Sequence, residues 1–551
     1  VVSKIINYEK ATYLGSLGNY YDKAAMFGDP SSSGNSCAIT KEAIAGLLEN
    51  HGFGDVYLKT SGSSWSTSMK NELSAGVLFF NYRGYLGMSG FSTGDVDDAS
   101  NGWKLPFATV ITCGTGSFAE ESTCMAEKFF KAGTTTSPKG GVAAIGTATW
   151  NTHTIFNNIF DLGVYDGLLA DQVETAGAAL ASGKLALLNT YPSNPYQWVS
   201  AFTQWNNLMG DPATHLWTDT PKTMVVDHLN EISYGTNYIT ITAQDVFGNP
   251  INDALVTLLP IFGTIPTSLY TNEEGKITFD IDSILNGIIN ITVTKNNYKP
   301  YVSTVDIVTS ESVNIGQGLI INDSNDGIPA AGETFGLSIP LHNYGNSSAS
   351  GITATLSSDS PLVSMSNNTV SYGTILSGQS AYGGSDFGLS IHPSAIQSEE
   401  LDLYLTISDQ ENQWSSRVNL NIIGSYLVPV GAASLEPGQT SNININLNNQ
   451  GILYATGVFA ELDYFGDLLT INDGYGSWGD INSGSTQSST NGFNITVSGD
   501  VVSGSQIIVS LNIYDDNGYD RSENYIIRIG SVSEDDPLGP DQYGYYIYDS
   551  G

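Results

Sequence analysis

The chain is poor in cysteine, in positive charge and in long apolar runs. Its 551 residues contain three cysteines, Cys37, Cys113 and Cys124. That is too few and too odd a number for a disulfide framework: at most one pair can form, and a thiol is left over. Only 19 Lys and Arg stand against 55 Asp and Glu, a formal net charge of −36. Such a balance repels phosphate backbones and anionic lipid and argues against nucleic acid as a partner. No stretch approaches ~20 consecutive apolar residues, so no helix that spans a membrane is expected. Charged residues make up only 13% of the chain while Gly and Tyr abound, a composition of secreted, β-rich proteins rather than cytosolic enzymes. The chain opens on Val-Val without a signal peptide, which reads as a processed or partial product.

Length alone implies several domains, at roughly 100–200 residues each. Residues 1–218 alternate short apolar runs ("AAMFG", "GVLFFNY", "FATVITC", "GVAAIGT") with amphipathic stretches such as "SCAITKEAIAGLLENHG". This pattern predicts an α/β domain, a mostly parallel sheet between helices, with its chemistry at the C-terminal ends of the strands. From 222 to 309 alternating strands ("NYITITAQD", "NGIINITVTKN") separated by Gly- and Asn-rich turns predict a β-sandwich. The rest contains a repeat: Gly332, Gly345, Gly351, Gly373, Gly378 and Phe387 recur 106 residues later as Gly438, Gly451, Gly457, Gly479, Gly484 and Phe493. Two copies of one sandwich, 310–423 and 424–531, follow from that constant offset. Residues 532–551 have no periodicity and read as a linker.

Cys113 ends a β-branched run and is followed by Gly-Thr-Gly. Glycines there allow backbone N–H groups to approach a substrate carbonyl, so Cys113 is a candidate nucleophile with Gly114 at its oxyanion hole. A buried core cysteine is the alternative reading.

The ordered blocks "GVLFFNYRGYLG", "LPFATVITCGTGSF", "SPKGGVAAIGTATW" and "WNNLMGDPATHLW" resemble the catalytic domain of gingipain-like cysteine peptidases. The resemblance covers about residues 1–218 and implies a caspase-like fold, an N-terminally shortened catalytic domain and immunoglobulin-like sandwiches behind it. It also implies peptide-bond hydrolysis by a Cys–His dyad, with protein or peptide substrates and no cofactor required for catalysis. Secretion, in many members by a type IX system, is implied too, with attachment to the cell surface through a C-terminal domain absent here. Carried over by motif, the nucleophile falls on Cys113, while the histidine of the family's NYxGHG pattern falls on Tyr85. A phenol with a reference pKa of about 10 is a poor base near neutrality.

Among six histidines, His153 stands after another core strand, in the loop expected beside Cys113. It is either a relocated base or a loop histidine bonded to backbone. Arg83, Asp95 and Trp150 are candidates for substrate contacts: Asp95, with Asp97 and Asp98, either presents an acidic wall to a basic P1 side chain, binds calcium, or is solvated. Calcium is the one expected structural cofactor, at Asp323, Asn325 and Asp326 and at Asp515, Asp516 and Asn517, with hydrogen-bonded Asx turns as the alternative. Two functions follow: a secreted cysteine endopeptidase, or an inactive pseudo-peptidase serving as an extracellular scaffold or adhesion protein.

Overall fold

The computed structural model describes residues 1–120, 122–261, 265–281, 286–309, 314–316, 318–322 and 326–531. They fall into two compact units: residues 1–230, 240–278 and 288–305, and residues 231–239, 279–287 and 306–551.

The first unit opens with the α/β domain. Its sheet consists of β1 (Lys23–Gly28), β2 (Asp55–Lys59), β3 (Phe79–Arg83), β4 (Phe107–Ile111), β5 (Ala143–Thr147) and β6 (Asn206–Met209), ordered β2-β1-β3-β4-β5-β6. All neighbours are parallel except β6, which runs antiparallel to β5. The helices are α1 (Val2–Glu9), α2 (Pro30–Ser33), α3 (Ser36–His51), α4 (Trp65–Ala75), α5 (Thr93–Asp98), α6 (Met125–Lys131), α7 (Thr154–Leu169), α8 (Ala176–Thr190) and α9 (Trp198–Trp205).

Every residue of β3, β4 and β5 is buried, as expected for parallel strands covered on both faces. One face packs Phe79, Phe107 and Ile145 against Phe160 and Val164 of α7 and Ile44 of α3. The other packs Phe80, Ala108 and Ala144 against Met69 of α4 and Phe129 of α6. Because Arg83 pairs with Ile111 and Val110 with Gly146, the segments leaving β3, β4 and β5 lie side by side at one sheet edge. Those three segments carry Tyr85, Cys113 and His153. At the start of the chain the Lys4 ammonium is buried and donates to the carbonyls of Phe129, Phe130, Lys139 and Gly141, which fastens α1 to the C-terminal end of α6.

Beyond residue 222 the regular elements among the described residues are all β-strands. Strands at Leu255–Pro260, Thr267–Tyr270 and Gly287–Thr294 pair antiparallel, and Tyr238–Asp245 pairs with Met224–Asp227. In the second unit the repeat is seen strand by strand. Ala349–Ser357, Val363–Asn367, Thr369–Ile375, Phe387–Ile391 and Glu400–Ser408 are followed 106 residues later by Ala455–Asp463, Leu469–Asp473, Tyr475–Ile481, Phe493–Val497 and Gln506–Tyr514. The copies share even a register irregularity, at Ala349/Ile352 and Ala455/Val458. Each has its own core and a buried asparagine at the same corner. Asn343 Nδ2 donates to the Ser347 and Ile375 carbonyls, and Asn449 Nδ2 to those of Leu453 and Ile481. Both asparagines accept from the glycine N–H two residues on. Among the described residues no helix is long and apolar enough to cross a membrane.

Candidate functional site

Cys113 is partly exposed in the turn after β4. The Gly-Thr-Gly that follows serves close backbone packing: a Cβ on Gly116 would lie 2.7 Å from the backbone of Gly146 in β5. Gly116 N–H donates to the Thr147 carbonyl (3.1 Å), and Thr147 N–H to Thr115 Oγ1 (3.1 Å). Gly114 has φ +75°, and a Cβ there would stand 2.6 Å from the Trp150 ring. Two glycines are therefore required for the loop to lie against β5 and beneath Trp150.

This arrangement corrects the expected oxyanion donor. Gly114 N–H is committed to the Thr149 carbonyl at 2.7 Å. The Cys113 N–H has no hydrogen-bond partner among the described residues, which leaves it as the donor adjacent to the thiol.

The thiol's polar partner is a residue that the sequence did not single out. Cys113 Sγ lies 3.1 Å from Thr152 Oγ1, in the loop between β5 and α7. His153 is the next residue, exposed and at the N-cap of α7 without a capping hydrogen bond. No hydrogen bond joins its ring to Cys113; the ring instead meets Phe156 edge-on (5.5 Å between centroids) and lies tilted against Trp198 (6.2 Å). The sheet thus brings the His153 loop onto the thiol, as its strand order requires, but the contact is made by threonine.

The remaining candidates are spread differently from expectation. Tyr85, expected to stand where the resemblance places a histidine, is 55% exposed. Arg83 is 1% exposed and unavailable to substrate. Its Nε donates to Asn158 Oδ1 (2.7 Å), Nη1 to the Gly84 (2.7 Å) and Ile111 (3.3 Å) carbonyls, and Nη2 to the Thr154 carbonyl (3.2 Å). Its expected exposure fails because α7 covers the end of β3. Burial lowers the pKa of this guanidinium from its usual value, and no carboxylate bonds to it directly.

Asp95 is engaged within the fold: it caps α5 by accepting from Ser92 N–H (2.7 Å) and pairs with Lys70 (2.9 Å). Asp97 pairs with Lys128, and Phe91 is core. Trp150, 45% exposed, lies over Gly114 and is held by its Nε1–H bond to Glu120 Oε2 (2.6 Å).

Beneath the site the Lys41 and Asp161 side chains pair in full burial, and Asn81 Nδ2 donates to Asp161 Oδ1 (3.0 Å). Burial depresses the Lys41 pKa. Asn157, one turn before Asp161 on α7, is buried with neither amide atom bonded. No local pattern marks these polar residues, because they sit inside otherwise apolar helical and strand segments.

The calcium candidates divide. Asp323 and Asn325 lie outside the described residues; Asp326 Oδ1 accepts from Ile328 N–H. Asp515 Oδ1 accepts from the N–H groups of Asn517 and Tyr519, Asn517 Nδ2 donates to Thr456 Oγ1, and Asp516 N–H to the Thr456 carbonyl. This is an Asx-turn arrangement. Among the described residues no group of three His, Cys, Asp or Glu side chains is placed to hold a metal ion.

Residues 1–217 match the model of peptidase family C25. No curated protein matches the chain. Among solved structures, the complex of the pro- and mature domains of RgpB from Porphyromonas gingivalis is 20% identical, covering 56% of this chain and 73% of that one, with a TM-score of 0.49. The Arg-specific cysteine proteinase gingipain R is also 20% identical, over 56% of this chain and 71% of that one, with a TM-score of 0.44.

Proposed function

Residues 1–217 belong to the gingipain-like cysteine peptidase family C25, and on that premise we propose that the chain hydrolyses peptide bonds through Cys113 with His153 as its base. In this reading the first domain is a caspase-like peptidase domain and the later β units are immunoglobulin-like spacers of a secreted or cell-surface protein. The observation that carries it is the 3.1 Å contact between Cys113 Sγ and Thr152 Oγ1, because it sets the backbone of His153 one residue from the nucleophile's own partner.

The ring must turn to act. It gives up no hydrogen bond in doing so, only two aromatic contacts, each worth roughly 0.5–1.5 kcal/mol. A tenfold population change corresponds to about 1.4 kcal/mol, so the turned rotamer stays accessible.

The chemistry then follows standard nucleophilic lines. The thiol proton passes to the imidazole, the sulfur attacks the peptide carbonyl carbon, and the carbonyl oxygen takes the negative charge facing the Cys113 N–H. The C–N bond breaks as the imidazolium protonates the leaving amine. Water, deprotonated by the same ring, hydrolyses the thioester and regenerates the thiol.

The test is cleavage of a peptide library read by mass spectrometry. Wild type is expected to cut, Cys113→Ala not at all, and His153→Ala about 10²–10⁴-fold more slowly. A pseudo-peptidase that binds chains without cutting them is favoured by a different observation, the absence of any ring hydrogen bond to the thiol together with Tyr85 at the family's histidine position. Library peptides retained but uncut by wild type would establish that second reading.

A further inference from the structure

We infer that Arg83 is the positioning residue of this site: one buried guanidinium ties together the three loops that carry Tyr85, Cys113 and the Thr152–His153 pair. The inference rests on the reading of Cys113 as the reactive residue. Its four hydrogen bonds end on Gly84, the residue before Tyr85; on Ile111, two before Cys113; on Thr154, the residue after His153; and on Asn158, one turn into α7. Thr112 Oγ1 donates to the same Gly84 carbonyl (2.9 Å), so the first two loops are joined twice.

A charge this deeply buried without a bonded carboxylate is costly, and an apolar side chain of similar volume would fill the space at less cost. What an apolar residue lacks is the planar fork: separate N–H groups fixed at angles that reach acceptors in three segments at once. Lysine lacks it as well, because three donors radiate from a single nitrogen. The geometry therefore fits a residue retained for the relative placement of loops. A displacement of the order of 1 Å between nucleophile and base is enough to cost about 10²-fold in rate.

The experiment compares the full chain with Arg83→Lys and Arg83→Met by hydrogen–deuterium exchange and by saturation kinetics of a peptidyl acyloxymethyl ketone. Expected is a joint loss of protection in peptides covering 84–90, 112–118 and 148–154, with exchange in the β units unchanged. The maximal labelling rate at Cys113 should fall at least about tenfold while the half-saturating probe concentration changes little, a split that general destabilisation would not produce. Millimolar guanidinium should partly restore the rate in Arg83→Ala.

Unchanged exchange, or a change confined to the 84–90 loop, overturns the inference, as does a variant whose half-saturating concentration rises while its maximal rate holds. If the Arg83 variants do not fold, Asn158→Ala carries the test: it removes only the Nε acceptor and should raise exchange in the same three loops, and no change there would overturn the inference. If the unaltered chain is never labelled, the peptidase reading falls while exchange still reports on Arg83.

Discussion

At the scale of single residues, Gly114 is constrained both by its backbone angle and by a neighbouring ring. Its φ of +75° disfavours any side chain, and the Trp150 ring occupies the space that a Cβ would take. Gly114→Ala is expected to destabilise the domain by about 1–3 kcal/mol, measured by urea unfolding. Removing the ring should recover part of that loss, so Gly114→Ala combined with Trp150→Ala should be less than additive. Asp95 gives the opposite expectation. Its ion-pair partner Lys70 is exposed, so Asp95→Asn should cost about 1 kcal/mol or less and leave the P1 preference of any cleavage unchanged. A lost preference for Arg or Lys would show that Asp95 does reach substrate.

At the scale of elements, acid and dipole are paired at two neighbouring helices. Asp95 is the third residue of α5 and Glu127 the third of α6, each accepting from its N-cap N–H. Burial works against ionisation of Asp95, but hydrogen bonds from Lys70 and Ser92 outweigh it and hold its pKa below the usual value; Lys131 does the same for Glu127. A carboxyl whose pKa is lower folded than unfolded stabilises the fold above the unfolded value and loses that contribution as pH falls through the folded one. Exchange protection of α5 and α6 should therefore fall together below about pH 4.

What was legible in the sequence follows from the same elements. Strands β1, β3, β4 and β5 could be read because strands covered on both faces are unbroken apolar runs. β6 could not: "NNLM" is short and opens on two asparagines, and Asn206 is buried only through its bonds to Thr147 and Phe202. Cys113 and the proximity of the His153 loop followed from strand ends alone. Thr152, the burial of Arg83 and the engagement of Gly114 N–H depend on where α7 and Trp150 come to rest, which no local pattern records.

At the scale of the whole molecule, the repeats behave as copies with separate cores. Asn343 and Asn449 occupy equivalent buried corners, and truncating either to alanine leaves carbonyls and an N–H without partners, at about 1–3 kcal/mol for each buried group left unsatisfied. Asn449→Ala should lower the unfolding temperature of its own repeat and leave labelling of Cys113 unaltered. The proposal that matters most at this scale is that residues 1–217 retain a working nucleophile, Cys113, and a relocated base, His153. Its most direct measurement is the rate at which a peptidyl acyloxymethyl ketone modifies Cys113, located by mass spectrometry, across pH 5–9 in wild type and His153→Ala. Labelling of Cys113 is expected in wild type, with a rate lower by about 10²-fold or more in the variant. Equal rates in the two proteins, or no labelling of wild type at any pH, would contradict it.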